Sequence, residues 1–188
     1  MPVPAVLRSR VPLLLLLSVL ALAACKREET VPQAAAAAPK PAAMADTDEH
    51  SYAQPDKVVI DDLALDLKLD FDARTVAGTA TYTLQWKDPA ATELVLDTRD
   101  LAIEQVEGEA NGAWQPLKFA LADKDPVLGS KLTIETPARN AKVRVTYRSS
   151  PEASGLQWLT PEMTEGKQLP FMFSQSQQIH ARSWVPLQ

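Results

Sequence analysis

Between Val58 and Tyr147 the chain alternates apolar and polar residues with a period of two, the pattern of a strand with one buried face. Leu63, Leu65, Leu67, Leu69 and Phe71 alternate with Asp62, Ala64, Asp66, Lys68, Asp70 and Asp72. After the polar turn Asp72-Ala73-Arg74-Thr75 the alternation resumes with Val76, Gly78, Ala80, Tyr82, Leu84 and Trp86, which predicts a hairpin. Further strands are predicted at Glu93 to Leu96, Leu101 to Glu107, Trp114 to Ala120, Lys131 to Glu135 and Lys142 to Tyr147, with Asp, Asn, Gly and Pro turn signals between them. No long stretch of helical period separates them. The fold class that follows is all-β, an antiparallel β-sandwich or a saddle-like sheet.

The two ends of the chain do not follow this pattern. Arg8 and Arg10 precede an apolar run from Val11 to Ala24, the charged and apolar regions of an export signal, too short to span a membrane. The run ends Leu22-Ala23-Ala24-Cys25, which resembles a bacterial lipobox, in which the cysteine is acylated and becomes the new N-terminus. The expectation is a lipoprotein signal peptide over 1–24 and a lipid attached at Cys25, rather than ordinary secretion with an incidental thiol. Stable anchoring needs more than one acyl chain. Lys26, standing where an aspartate would retain the protein elsewhere, favours the outer membrane facing the periplasm. Residues 25–54 are charged, then rich in alanine and proline, then acidic, and offer almost nothing to bury, so a disordered tether is expected there. His50 falls in that tether and reads as a solvated side chain. The β-rich domain is expected over 55–188, roughly 130 residues, enough for one core.

Charge and composition mostly exclude. The chain has 188 residues and a net charge of -5, with no concentrated basic face, which argues against a nucleic-acid partner. A single cysteine cannot form an internal disulfide. Asp66, Asp70 and Asp72 fall on the polar face of a strand and read as solvated. Asp123, Lys124 and Asp125 form a charged loop lacking the glycine and terminal glutamate of a calcium loop.

The closing stretch, Gly155 to Gln188, carries the candidate chemistry. The segments Ser154-Gly155-Leu156-Gln157-Trp158-Leu159, Pro170-Phe171-Met172-Phe173-Ser174-Gln175-Ser176-Gln177, Ile179-His180-Ala181-Arg182 and Val185-Pro186 resemble the zinc aminopeptidase family of aminopeptidase N and leukotriene A(4) hydrolase, most closely its hydrolase branch. The resemblance implies the N-terminal, non-catalytic domain of an enzyme that removes N-terminal residues from peptides. It also implies that a Gln-x-Gln pair, here Gln175 and Gln177, reaches the substrate cleft, its second member helping to bind the free α-amine. An amide oxygen suits that task because it accepts a hydrogen bond from an ammonium group. Loop-pinning by the same amides is the competing reading of both residues. Ser176 and Gln178 depart from the cysteine and the small residue usual in the family. His180 and Arg182 are expected to stabilise the turn toward the next domain, and Trp158 and Trp184 to anchor a core or a domain interface.

The family's zinc chemistry needs H-E-x-x-H on one helix, a distant glutamate ligand and a Gly-x-x-Glu-Asn type strand. None is in this sequence. Zinc is therefore expected in a full-length parent and none in this chain, which is expected to be an inactive N-terminal fragment whose partners are a peptide substrate, its own catalytic domain and, through the lipid, a membrane. The other reading that the residues allow is a free-standing lipoprotein β-domain that binds a peptide or a protein partner.

Overall fold

The computed structural model describes residues 48–188. The signal segment, Cys25 and most of the tether lie outside the described residues. The strands are β1 (Val58–Asp70), β2 (Thr75–Trp86), β3 (Glu93–Thr98), β4 (Ala102–Ala110), β5 (Ala113–Pro116), β6 (Phe119–Leu121), β7 (Ser130–Glu135), β8 (Lys142–Arg148), β9 (Leu156–Leu159) and β10 (Phe171–Ser174). They form a five-stranded sheet in the order β1-β2-β8-β4-β5, a three-stranded sheet β3-β7-β6 and a two-stranded ribbon β10-β9. The pairings are antiparallel throughout. The fold is the all-β class expected from the alternation.

One core lies between the two larger sheets. Ala80 and Tyr82 of β2, Val143, Val145 and Tyr147 of β8 and Val106 of β4 supply one side, and Leu94 and Leu96 of β3 with Leu132 and Ile134 of β7 supply the other. Each large apolar side chain removed from water in this way contributes about 1.5–3 kcal/mol, which offsets the entropy of ordering the strands. The polar alternates face outward. Arg144 on β8 pairs with Glu107 on β4 at 2.6 Å and lies 4.4 Å from the ring centre of Trp114 on β5.

The predicted hairpin is β1 and β2, joined through a turn in which Arg74 takes a positive φ of 53°. A bulge between Ile60 and Asp62 shifts the register, so Ile60 and then Leu63, Leu65, Leu67 and Leu69 share the inner face. That face is only partly covered: Leu63, Leu65 and Leu69 remain 36–40% exposed, because β1 is the edge strand and the core reaches only Val58, Ile60 and Leu67 on it.

The single strand predicted over Trp114 to Ala120 is two strands in two sheets. Pro116 has no N–H to continue a ladder, and the Leu117 N–H closes the first pairing on Val106 O at 2.9 Å. One residue later Lys118 O accepts from Glu135 N at 2.9 Å and opens the second. The chain therefore crosses from one sheet to the other at this point. The turn before β5, Asn111-Gly112, has two positive φ angles, 53° and 78°, the geometry a two-residue hairpin turn requires.

Residues 48–54, expected in the tether, are held against the domain instead. Asp97 is the reason: its carboxylate accepts from Ser51 Oγ at 2.6 Å and from Tyr52 N at 2.8 Å. The His50 side chain is solvated as expected, while its carbonyl accepts from Arg182 at 2.7 Å. Asp66, Asp70 and Asp72 are all exposed. Asp125 serves its own loop, accepting the N–H groups of Val127 and Leu128 at 2.7 Å each, and these bonds hold its carboxyl below the usual carboxylate range.

Candidate functional site

The candidate residues sit where the ribbon β9–β10 runs into a 3-10 helix, His180–Ser183. Alternation fixes the ribbon. Met172 pairs with Trp158 and Ser174 with Leu156, and Trp158, Met172 and Leu156 pack with Val76 and Ala153 in a second small cluster. Phe71 meets Trp158 edge to face at 5.4 Å, so the turn of the first hairpin also touches the ribbon. Trp158 is thus the core anchor that its aromatic bulk predicts.

Beyond Ser174 the chain is fixed by groups other than its glutamine side chains. Gln175 N donates to Gly155 O at 2.9 Å, and His180 N donates to Ser176 O at 3.0 Å. Trp184 Nε1 donates to Ser176 Oγ at 3.1 Å. Ser183 Oγ donates to His180 O at 2.7 Å while accepting from Gly155 N at 2.9 Å. Ser154 Oγ and His180 Nδ1 are 2.7 Å apart. This packing is close enough to require glycine at position 155, since a Cβ there would lie 2.6 Å from His180 O and 2.8 Å from Trp184 Cδ1.

Gln175 and Gln177 themselves are exposed. Their side chains are brought together, with Gln175 Nε2 at 3.4 Å from Gln177 Oε1, a long contact. Among the described residues neither amide bonds to the backbone, so pinning falls to Ser176, Ser183 and Trp184. The peptide bond between Gln177 and Gln178 is cis.

Arg182 is buried and closes the base of the site. Its guanidinium donates to Leu128 O and His50 O, each at 2.7 Å, and reaches Asp97 Oδ2 at 3.1 Å. Arg182 therefore holds this turn, and the turn is built onto the three-stranded sheet through Arg99 N donating to Arg182 O at 2.7 Å. The last residues extend the same attachment. Leu187 and Asp97 exchange backbone bonds of 2.7 and 3.2 Å, and Gln188 bonds Ile60 N and Val58 O through its side chain. The sequence assigned no role to Asp97, Ser154 or Ser183. Asp97 lies just past an apolar run with no local mark of a buried carboxylate, because its partners come from distant parts of the chain.

Among the described residues, no three His, Cys, Asp or Glu side chains gather in a way that holds a metal ion. These residues do not fit a zinc site.

The family model for the Peptidase M1 N-terminal domain matches residues 50–188, the whole of the folded part just described. The chain belongs to this family. As a peptidase M1 N-terminal domain it is similar to leucine aminopeptidase 2 of Yarrowia lipolytica, 39% identical over 123 residues, which are 64% of this chain and 18% of that protein. It is similar to leukotriene A-4 hydrolase of Xenopus laevis, 35% identical over 146 residues, 75% of this chain and 23% of that protein. Among solved structures, native yeast LTA4 hydrolase superimposes with a TM-score of 0.69 at 27% identity, covering 79% of this chain and 23% of that one. The domain thus spans about a fifth of the length of the relatives it matches.

Proposed function

We propose that this domain is the N-terminal, non-catalytic part of an exported, lipid-anchored zinc aminopeptidase, and that Gln177, with Gln175 beside it, helps bind the free α-amine of a peptide substrate. The observation that carries the reading is the exposed glutamine pair on a loop whose backbone is fixed by other residues. Side chains not spent on holding their own loop are free for a ligand. Gln177 Oε1 has two lone pairs, and the weak contact from Gln175 uses one, which leaves the other for an ammonium donor. The amide of Gln175 orients that oxygen from the side.

Zinc, when bound by the remainder of the parent protein, would supply polarisation of the scissile carbonyl and an activated water. This chain's own contribution is recognition and positioning, and the chain by itself is expected to lack peptidase activity. Anchoring through Cys25 and an outer-membrane, periplasm-facing position complete the proposal, supported by the lipobox-like sequence and Lys26. The test is to purify the longer protein encoded by the same reading frame and assay release of N-terminal residues from unblocked peptides with and without a chelator. Chelator-sensitive release is expected. A reading frame with no peptidase segment, or no release, would sink the proposal.

A further inference from the structure

Two separate groups of bonds fasten the glutamine loop, and only one of them belongs to the ribbon. Gly155 supplies the first, its carbonyl accepting from Gln175 N and its N–H donating to Ser183 Oγ, at 2.9 Å each. The second comes from the first residues of the domain. His180 N donates to Ser176 O at 3.0 Å, between the two glutamines, and Arg182 in the same 3-10 helix donates to His50 O at 2.7 Å. Asp97, which pairs with Arg182 at 3.1 Å, uses both carboxylate oxygens on the same segment, accepting from Ser51 Oγ at 2.6 Å and from Tyr52 N at 2.8 Å. Asp48, His50 and Ser51 also line, with Gln178 and Ile179, a cavity of about 190 Å³. Gln178 and Ile179 are the residues that join Gln177 to the helix.

We propose that residues 48–52 form a strap that positions the Gln175–Gln177 pair, with Ser51 as its positioning residue. The proposal rests on the reading above that Gln177 meets the substrate amine. Burial sets the strap apart from the core: Asp48, Glu49 and His50 are exposed and Ser51 and Tyr52 half-buried, so it removes little apolar surface from water. What holds it is a set of hydrogen bonds to two charged groups, the stronger kind. Ser51 is central to that set. Its oxygen accepts from Ala53 N at 3.0 Å, which turns the hydroxyl hydrogen toward Asp97. Arg182 Nη2 is shared between His50 O and Asp97 Oδ2, at 2.7 and 3.1 Å. Without the Ser51 hydroxyl, Oδ2 is left to Arg182 alone, and the guanidinium turns from His50 O toward it. The helix carrying Arg182 then loses its hold on the strap, and the Ser176 carbonyl moves with His180. A displacement of about 1 Å is enough to weaken recognition of a small polar group.

The test uses Ser51→Ala and Ser51→Thr in the full-length parent, each read by amide hydrogen exchange and by KM and kcat for unblocked peptides. Ser51→Ala should speed exchange at His180, whose N–H bonds Ser176 O, while the β8 amides stay protected. It should also raise KM by about 2- to 10-fold, the loss of one hydrogen bond, with kcat unchanged. Ser51→Thr keeps the hydroxyl and should restore both values. Unchanged exchange at His180 overturns the proposal, and so does faster exchange in β8, which would mark a general loss of stability. Faster exchange at His180 with an unchanged KM overturns it too, because the strap then holds the loop without serving recognition. Gln177→Ala on the same peptides separates the two readings. If that variant raises KM and Ser51→Ala does not, only the strap falls; if neither raises KM, the amine-binding reading falls with it.

Discussion

Asp97 at the end of β3 and Arg182 in the 3-10 helix His180–Ser183 form a buried ion pair at 3.1 Å, with side-chain exposures of 2% and 6%. Every remaining bond of the two groups runs to a different part of the chain: Ser51 and Tyr52 before β1, the loop carbonyl of Leu128, and the carbonyl of His50. The pair therefore fastens both ends of the domain and the turn behind the glutamine loop to one sheet. Removing one partner leaves the other charge buried. We expect Arg182→Met to lose about 3–5 kcal/mol of unfolding free energy, read by urea denaturation. The double variant Asp97→Asn/Arg182→Met should lose less than the sum of the two single losses. A loss under about 1 kcal/mol for Arg182→Met, the range of an exposed ion pair, would show that the clasp is not fastening these segments.

Two buried tyrosines make opposite predictions at neutral pH and the same one at high pH. Tyr82 donates to Pro186 O at 2.7 Å, whereas the hydroxyl of Tyr147 has no partner. Tyr82→Phe should cost about 1 kcal/mol, and Tyr147→Phe should be neutral or slightly stabilising. Burial raises the Tyr82 phenol well above its ordinary range, with the neighbouring Tyr147 adding to the shift, and burial also raises Tyr147. The folded state thus keeps protons that the unfolded state releases near pH 10. Stability should be unaffected by these groups below about pH 10 and fall above it, and each Phe variant should make that alkaline fall shallower. Denaturation midpoints at pH 8 and pH 11 check both statements.

Gly155 allows the 3-10 helix His180–Ser183 to approach β9, and a methyl group there meets the His180 carbonyl and the Trp184 ring. Gly155→Ala should therefore displace the glutamine loop. The readout is amide hydrogen exchange at Gln175, whose N–H bonds Gly155 O. Faster exchange at Gln175, with the β8 amides still protected, is expected. Unchanged exchange at Gln175 would mean that the loop does not depend on this contact.

The proposed lipid attachment at Cys25 has a test of its own. Cys25→Ser should move the protein from the membrane fraction to the soluble periplasmic fraction. Retention in the membrane would point to a different attachment.

Local alternation made most strands legible because side-chain period and burial go together in a two-layer sandwich. Leu94, Leu96, Leu132, Ile134, Val143 and Val145 are all buried where the period places them. The same period cannot show how far the second layer extends, so the exposure of Leu63 and Leu65 on the edge strand was not legible. Nor can it show a change of sheet, which at Leu117-Lys118 keeps the apolar spacing while exchanging partners. The Gln175–Gln177 pair was legible only through resemblance, since exposed glutamines carry no periodic signal. Asp97 was not legible at all, because a buried ion pair between distant segments leaves no local trace.

Gln177→Ala in the full-length parent tests the proposal that Gln177 meets the substrate amine. Losing a hydrogen bond to a charged group, worth about 1.5–3 kcal/mol, should raise KM for unblocked peptides by about 10- to 100-fold. The melting temperature should not move, because the exposed Gln177 side chain meets only the amide of Gln175, in a long contact. An unchanged KM, or a KM change that merely follows a fall in melting temperature, would contradict the claim.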